Sequence, residues 1–262
     1  MSEQKSHISF RLEGHIGVVT LERPESLNAI SGALADDLTF CLRRAAINED
    51  VWVVVLAAAG EKAFCVGADL KERSNFSLVQ WYENREAMRA MFTAVRTLPQ
   101  PSIASVFGFA LGGGFELALS CDIIIAAEDA RMGLPEVKVG LLPAGGGTQL
   151  LTRKVGGARA KNLIFRGKQV DAQAGKEMGL VAEIAPRDQL DEVTMSVARE
   201  VCASSPIAVR ESKRAIEAAF GLPLEDGIAF EHEAWRRVIE TEDRSEGIAA
   251  FNEKRDPRWK NT

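Results

Sequence analysis

Ala110-Leu-Gly-Gly-Gly-Phe-Glu-Leu-Ala-Leu119 decides the reading of this chain. Its glycines, Gly112, Gly113 and Gly114, stand between a short apolar run, Ile103 to Phe107, and a stretch of good helix formers, so the pattern predicts a strand, a turn and then a helix. The first N–H groups of a helix have no intrahelical partner, and the macrodipole adds partial positive charge there, so that end can hold a developing oxyanion. Glycines let a ligand approach the backbone closely. Glu116 falls in the first turn, where the dipole favours an acid in any case. Glu136 follows Met132-Gly-Leu-Pro, twenty residues further on. Together they read as paired carboxylates at a backbone anion hole.

A second loop has the same grammar. Gly60-Glu-Lys-Ala-Phe-Cys-Val-Gly-Ala-Asp-Leu follows the apolar run Val51 to Ala57 and precedes a helical pattern, so it can supply another backbone donor. Two converging N–H groups suit acyl-transfer or enolate chemistry, where charge grows on a carbonyl oxygen and is met by dipoles already aimed at it. Neither loop is a nucleotide loop. Gly-Lys-Ser/Thr is absent, and no Gly-x-Gly-x-x-Gly opens a helix after a strand with an acidic residue suitably downstream.

Three segments carry a family resemblance: Ala63-Phe-Cys-Val-Gly-Ala-Asp-Leu-Lys-Glu, Gly108-Phe-Ala-Leu-Gly-Gly-Gly-Phe-Glu-Leu, and Gly133-Leu-Pro-Glu followed by Gly140-Leu-Leu-Pro-Ala-Gly-Gly-Gly-Thr-Gln. They resemble the enoyl-CoA hydratase (crotonase) superfamily. Matching motifs run in order from Glu22-Arg-Pro-Glu-Ser-Leu-Asn-Ala-Ile to Glu246-Gly-Ile-Ala-Ala-Phe-Asn-Glu-Lys-Arg, over nearly the whole chain. The resemblance implies an α/β fold, a spiral of repeated ββα units over residues 1–190 holding a CoA-thioester site. A helical region over 191–262 would build a homotrimer or homohexamer.

Site residues carry over by the same resemblance. The backbone N–H groups of Ala68 and Gly113 match an oxyanion hole for the thioester oxygen, and Glu116 and Glu136 match the two catalytic glutamates of the hydratases. Leu70 and Lys71 match positions beside the CoA adenine and pantetheine. Phe251 and Lys254 match a C-terminal segment that reaches the CoA phosphates, and Ser26 and Leu27 match the CoA groove. The implied reaction is addition of water to the β-carbon of a conjugated enoyl thioester, with one carboxylate as base and the other as acid. No separate cofactor is implied, because coenzyme A is part of the substrate. One departure stands out: relatives commonly read Pro-Gly-Ala-Gly-Gly where this chain has Pro143-Ala-Gly-Gly-Gly, so Ala144 would be strained if that position needs positive φ.

Composition agrees and excludes. The 262 residues can bury a sizeable core, and a net charge of −5 gives no broad basic field for nucleic acid or an acidic membrane. Cys41, Cys65, Cys121 and Cys202 show no metal spacing, and with only three histidines neither a metal site nor a disulfide framework is expected. Cys65 reads as a small pocket-lining residue rather than a nucleophile. The polar start Met1-Ser-Glu-Gln-Lys-Ser is unlike a signal peptide, and no run approaches the ~20 apolar residues of a membrane span, so a cytoplasmic enzyme is expected.

Strands are expected at Ile16 to Leu21, Val51 to Ala57, Ile103 to Phe107 and Ile123 to Ala126, continuous enough in hydrophobicity to be buried on both faces. A helix capped by Ser31 lies between the first two, with Ile30, Leu34, Leu38, Cys41, Leu42 and Ala45 on one face. From about Asp188 onward, helices are expected at Leu190 to Ala203, Ile207 to Phe220, Leu224 to Ile239 and Arg244 to Asn252. The segment Asn75 to Met91 fits an acyl-pocket wall or an ordinary core-packing helix equally well.

Three alternatives stand beside a plain hydratase. An enoyl-CoA isomerase can manage with one carboxylate, so retention of both glutamates argues for hydration. The motif Asp69-Leu-Lys-Glu-Arg-Ser and the tail Glu253-Lys-Arg-Asp-Pro-Arg-Trp-Lys are also similar to the methylglutaconyl-CoA hydratase branch, which includes a member that binds AU-rich RNA through a lysine-rich helix. Here the matching helix sets Arg43 and Arg44 against Asp36 and Asp37 and has no lysine, so no nucleic-acid partner is expected. The acyl group, and a pathway in fatty-acid metabolism, leucine breakdown or a polyketide-type branch, stay open.

Overall fold

The computed structural model describes residues 6–262; the polar start, residues 1–5, lies outside them. A hairpin opens the fold: β1 (Ile8–Glu13) and β2 (Ile16–Leu21) pair antiparallel around Gly14, whose φ of 58° is the left-handed geometry glycine tolerates. Helix α1 (Gly32–Ala46) follows, its first turn capped by the Ser31 hydroxyl, which accepts from the Leu34 N–H at 3.2 Å. Next come β3 (Val53–Ala58), β4 (Ala63–Cys65), α2 (Leu70–Arg73) and α3 (Leu78–Arg96), the last opened by a Ser77–Gln80 capping box.

The pattern then repeats. β5 (Ser102–Val106), β6 (Phe109–Leu111) and α4 (Gly113–Ser120) form one unit; β7 (Ile123–Ala127), β8 (Arg131–Gly133), α5 (Gly147–Val155) and α6 (Gly157–Arg166) form the next. The chain continues through β9 (Gln169–Asp171), α7 (Ala172–Glu177) and β10 (Glu183–Ala185), and ends in α8 (Leu190–Cys202), α9 (Pro206–Ala218), α10 (Leu224–Ile239) and α11 (Glu242–Glu253).

Each unit sends its first strand to one sheet and its second to another. The larger sheet runs β1-β2-β3-β5-β7-β10, parallel after the first pair, and the smaller runs β4-β6-β8-β9. This is the expected α/β spiral of ββα turns. Its parallel strands are buried on both faces, as their unbroken hydrophobicity implied: Val54 and Leu56 enter the main core with Leu34, Leu38 and Phe64, while Val53 and Val55 face a second core closed by Leu190, Met195 and Ala198 of α8.

The structure adds strands that the sequence reading lacks. β4, β6, β8, β9 and β10 are three residues each, too short to show a period, and β1 exposes five of its six residues. The last helix begins at Glu242 rather than Arg244, because the Thr241 hydroxyl accepts from the Arg244 N–H and starts the helix earlier. No helix among the described residues is long and apolar enough to cross a membrane.

Two crossings of the chain meet where β4 ends and α4 begins. A Cβ on Gly114 would overlap the Cys65 carbonyl, and one on Gly67 would lie 2.9 Å from the Gly113 nitrogen. These glycines set the spacing of the two loops. Gly114→Ala should therefore force the crossings apart and cost roughly 1–3 kcal/mol, read as a lower thermal midpoint than wild type; an unchanged midpoint would show that the contact is slack.

Candidate active site

The second loop is fixed by backbone pairing. Ile30 and Ala68 form a parallel bridge: the Ile30 N–H donates to the Gly67 carbonyl at 2.8 Å and the Asp69 N–H to the Ile30 carbonyl at 3.0 Å. In a parallel bridge of this register, the middle residue turns its own N–H to the opposite side, so the Ala68 N–H is left free of the ladder. Asp69 then caps α2, accepting from the Lys71 and Glu72 N–H groups, and its other oxygen takes the Arg23 guanidinium at 3.2 Å. Arg23 also donates to the Ala29 carbonyl, and buried Asn28 donates to the carbonyls of Ala59 and Ala63, so the loop is tied to the first turns of the chain.

Across from it, Gly112 (φ 54°, ψ −127°) turns the chain into α4, and the Gly113 N–H heads that helix without an intrahelical acceptor. Ala68, Gly113, Glu116, Glu136 and Leu70 all line one cleft of about 430 Å³. The structure thus brings together the two glutamates and the two backbone positions that the sequence singled out.

Glu116 is buried, with one oxygen anchored: Oε1 accepts from the Gly145 and Gly147 N–H groups, each at 2.7 Å. Gly145 and Gly147 are required for this, since a Cβ at Gly145 would stand 2.7 Å from Glu116 Oε2 and one at Gly147 2.8 Å from Oε1. Burial pushes the Glu116 carboxyl above the ordinary carboxylate range, opposed by the Gly147 and Gly145 N–H groups and by the charges of Arg85 and Arg96.

Glu136 opens a short 3-10 turn, Glu136–Val139, after Pro135. Its Oε1 lies over Gly112, 3.1 Å from where a Cβ would be, and its Oε2 is buried with no hydrogen-bond partner among the described residues. Burial raises its pKa most, its own backbone N–H opposes, and the Glu116 charge raises it further, to about 7. One carboxyl is held by backbone donors; the other is poised between its two protonation states at neutral pH.

Ala144 has no strain to relieve: it is not among the non-glycine residues with positive φ, and its carbonyl accepts from Arg85 Nη2 at 2.6 Å. The conformational demand falls one step on, at Gly145 to Gly147. Cys65 is fully buried beneath the loop rather than on the cleft wall, and burial pushes its thiol up to about 12, the reverse of an activated nucleophile.

The expected CoA contacts spread out. Leu70 lines the cleft, whereas Ser26, Leu27, Lys71, Phe251 and Lys254 do not. Leu27 does reach the site's support, its carbonyl accepting from the Val66 N–H, while Phe251 projects from α11 into solvent and Lys254 ends that helix in left-handed geometry.

Helix α3 settles the open reading of Asn75 to Met91 both ways. Met91 is core, Tyr82 is exposed, and Trp81, Asn84, Arg85, Met88 and Phe92 line the cleft. Sequence reasoning missed the charged part of that wall, Arg85 with Arg73 of α2, and, behind the wall, Arg96, whose Nη1 donates to the Gly145 carbonyl. A signal was present, because positions 81, 85, 88, 92 and 96 recur at three- and four-residue steps and so share a face with the apolar residues.

Known proteins share this arrangement at the level of the whole chain. Residues 11–262 match the family model described as Enoyl-CoA hydratase/isomerase. The structure is similar to the crystal structure of enoyl-CoA hydratase from Bacillus anthracis, with a TM-score of 0.96 and 42% identity over 98% of this chain and 100% of that one. It is likewise similar to enoyl-CoA hydratase from Mycobacterium tuberculosis, with a TM-score of 0.91 and 32% identity over 98% of this chain and 100% of that one. The short-chain-enoyl-CoA hydratase of Clostridium acetobutylicum is 36% identical over 250 residues, covering 95% of this chain and 96% of that one. With the family model spanning all but the first ten residues, the chain belongs to the enoyl-CoA hydratase/isomerase family and is an enzyme of the enoyl-CoA hydratase type.

Proposed function

We propose that the protein adds water across the 2,3 double bond of an enoyl-CoA thioester. The observation that carries this is the placement of two carboxyls of unlike environment, Glu116 and Glu136, in the cleft that also receives the Gly113 N–H. The thioester oxygen would lie between the Ala68 and Gly113 N–H groups, which gain strength as the enolate develops. Glu116, ionised and oriented by Gly145 and Gly147, takes a proton from water as it attacks the β-carbon. Glu136, protonated, delivers a proton to the α-carbon. The bond from water oxygen to the β-carbon forms as the double bond's electrons pass to the thioester carbonyl, and they return when the α-carbon is protonated. No cofactor beyond the CoA of the substrate enters the scheme.

Isomerisation needs one carboxyl to move one proton, so a second carboxyl at the same cleft favours hydration. Assembly as a homotrimer or homohexamer belongs to the same proposal, supported by apolar side chains that the lone chain leaves exposed on its last helices, among them Ile216, Phe220, Trp235 and Phe251. A cytoplasmic setting and a role in fatty-acid metabolism complete it.

Glu116→Gln and Glu136→Gln should each lower hydration of crotonyl-CoA by roughly 10²–10⁴-fold, followed as loss of enoyl-thioester absorbance, with CoA-thioester binding retained; wild-type turnover in both variants would remove the assignment. The pH dependence of kcat/KM for hydration should fall on the alkaline side with an apparent pKa near the Glu136 value of about 7, because the proton donor is lost as pH rises through it. A profile flat from pH 6 to 9 would show that Glu136 is not the donor.

A further inference from the structure

Beyond the oxyanion positions, the cleft wall carries charge that the hydration scheme does not use. Arg73 and Arg85 both line it, and neither forms an ion pair among the described residues. The carboxylates nearest Arg73 in sequence are engaged elsewhere: Asp69 holds Arg23, and Glu72 accepts from the Gly32 N–H. Arg73 Nε is buried with no hydrogen-bond partner among the described residues, and its guanidinium lies over the Trp81 ring at 5.3 Å. Asn84, one turn along α3, is 9% exposed and leaves Oδ1 buried and unpartnered in the same wall; which amide atom faces the cleft depends on the flip chosen, so a donor is available there too. Burial lowers the pKa of Arg73 most; the nearby Glu72 charge opposes this, and the Arg85 charge lowers it again by less.

A buried guanidinium nitrogen on Arg73 and a buried amide oxygen on Asn84, left without partners among the described residues, cost stability unless something answers them, while Arg85, exposed on the same wall with Nη2 on the Ala144 carbonyl, keeps its other N–H groups for a ligand. A straight alkyl chain would leave the Arg73 and Asn84 atoms unanswered. We infer that the acyl end of the cleft is built for an enoyl thioester bearing a terminal carboxylate, held by Arg73 and Arg85 with Asn84 beside them. The planar forks suit a carboxylate, and the Trp81 face orients the Arg73 plane. The inference rests on the thioester cleft proposed above for the placement of the acyl group, and on nothing in the hydration step.

Binding of saturated thioesters separates the two. Calorimetric titration of the wild-type protein with glutaryl-CoA and with pentanoyl-CoA, which cannot be hydrated, should show glutaryl-CoA favoured by roughly tenfold or more, the scale of one or two charge-assisted hydrogen bonds. Arg73→Met and Arg85→Met should each shrink that ratio, and Arg73→Lys should restore part of it. Equal or weaker binding of glutaryl-CoA by wild type overturns the inference, whether or not either variant folds. So does a loss in the variants that falls equally on free CoA, which would assign the guanidiniums to the CoA phosphates. Hydration of crotonyl-CoA without a glutaryl preference would leave the hydratase reading standing alone; the preference without hydration would do the reverse.

Discussion

Everything at this site depends on how closely two backbone crossings approach. The chain leaving β4 and the chain entering α4 touch through Gly67 and Gly114, where added methyl groups would collide with backbone atoms. That contact sets the separation of the Ala68 and Gly113 amides. Backbone donors are only as useful as their position relative to the group they meet, and here the position of the two amides is set by main-chain packing rather than by rotatable side chains. The crossings emerge from β4, wholly buried, and from β6, paired parallel to it with Ala110 buried, so the rigidity of the core reaches the amides through a few residues.

The two carboxyls illustrate how one fold separates similar groups. Both are removed from water, which raises both pKa values. Glu116 recovers part of the lost solvation from two backbone N–H groups and two nearby guanidiniums; Glu136 recovers little and feels the Glu116 charge as well. Divergent environments give two residues of one type distinct proton affinities, as acid–base chemistry near neutral pH requires. Gly145 and Gly147 make the difference possible, since side chains there would occupy the space of the carboxylate that the loop solvates.

Much of this was legible in the sequence. The glycines before Glu116 announced a helix N-terminus, the apolar runs gave the four long parallel strands, and the family motifs placed Glu136, Ala68 and Gly113 in the cleft where they are found. What was not legible has physical causes. Three-residue strands such as Phe109–Leu111 have no period to detect and exist because neighbouring strands offer hydrogen bonds. Arg73 and Asn84 look like surface residues in a one-dimensional pattern, and only the burial of Arg73 Nε and Asn84 Oδ1 reveals otherwise. Whether Ala144 needs positive φ could not be read from its neighbours' composition; the structure puts positive φ at Gly146 instead, within the glycines expected to keep the loop permissive. Phe251, on α11, and Lys254, which ends it, do not line the cleft of the lone chain, because a local motif does not encode where a terminal helix docks.

The link between α3 and the loop at residues 143–147 has a mechanical consequence. Arg85 and Arg96 grip the carbonyls of Ala144 and Gly145, and the amides of Gly145 and Gly147 grip Glu116. The same helix supplies Trp81, Met88 and Phe92 to the cleft wall. One rigid lever therefore joins the width of the cleft to the aim of the Glu116 carboxyl. A substitution that widens the wall by displacing α3 also turns that carboxyl, so cleft shape and carboxyl orientation in this chain change as one trait unless the arginine tethers are rebuilt alongside.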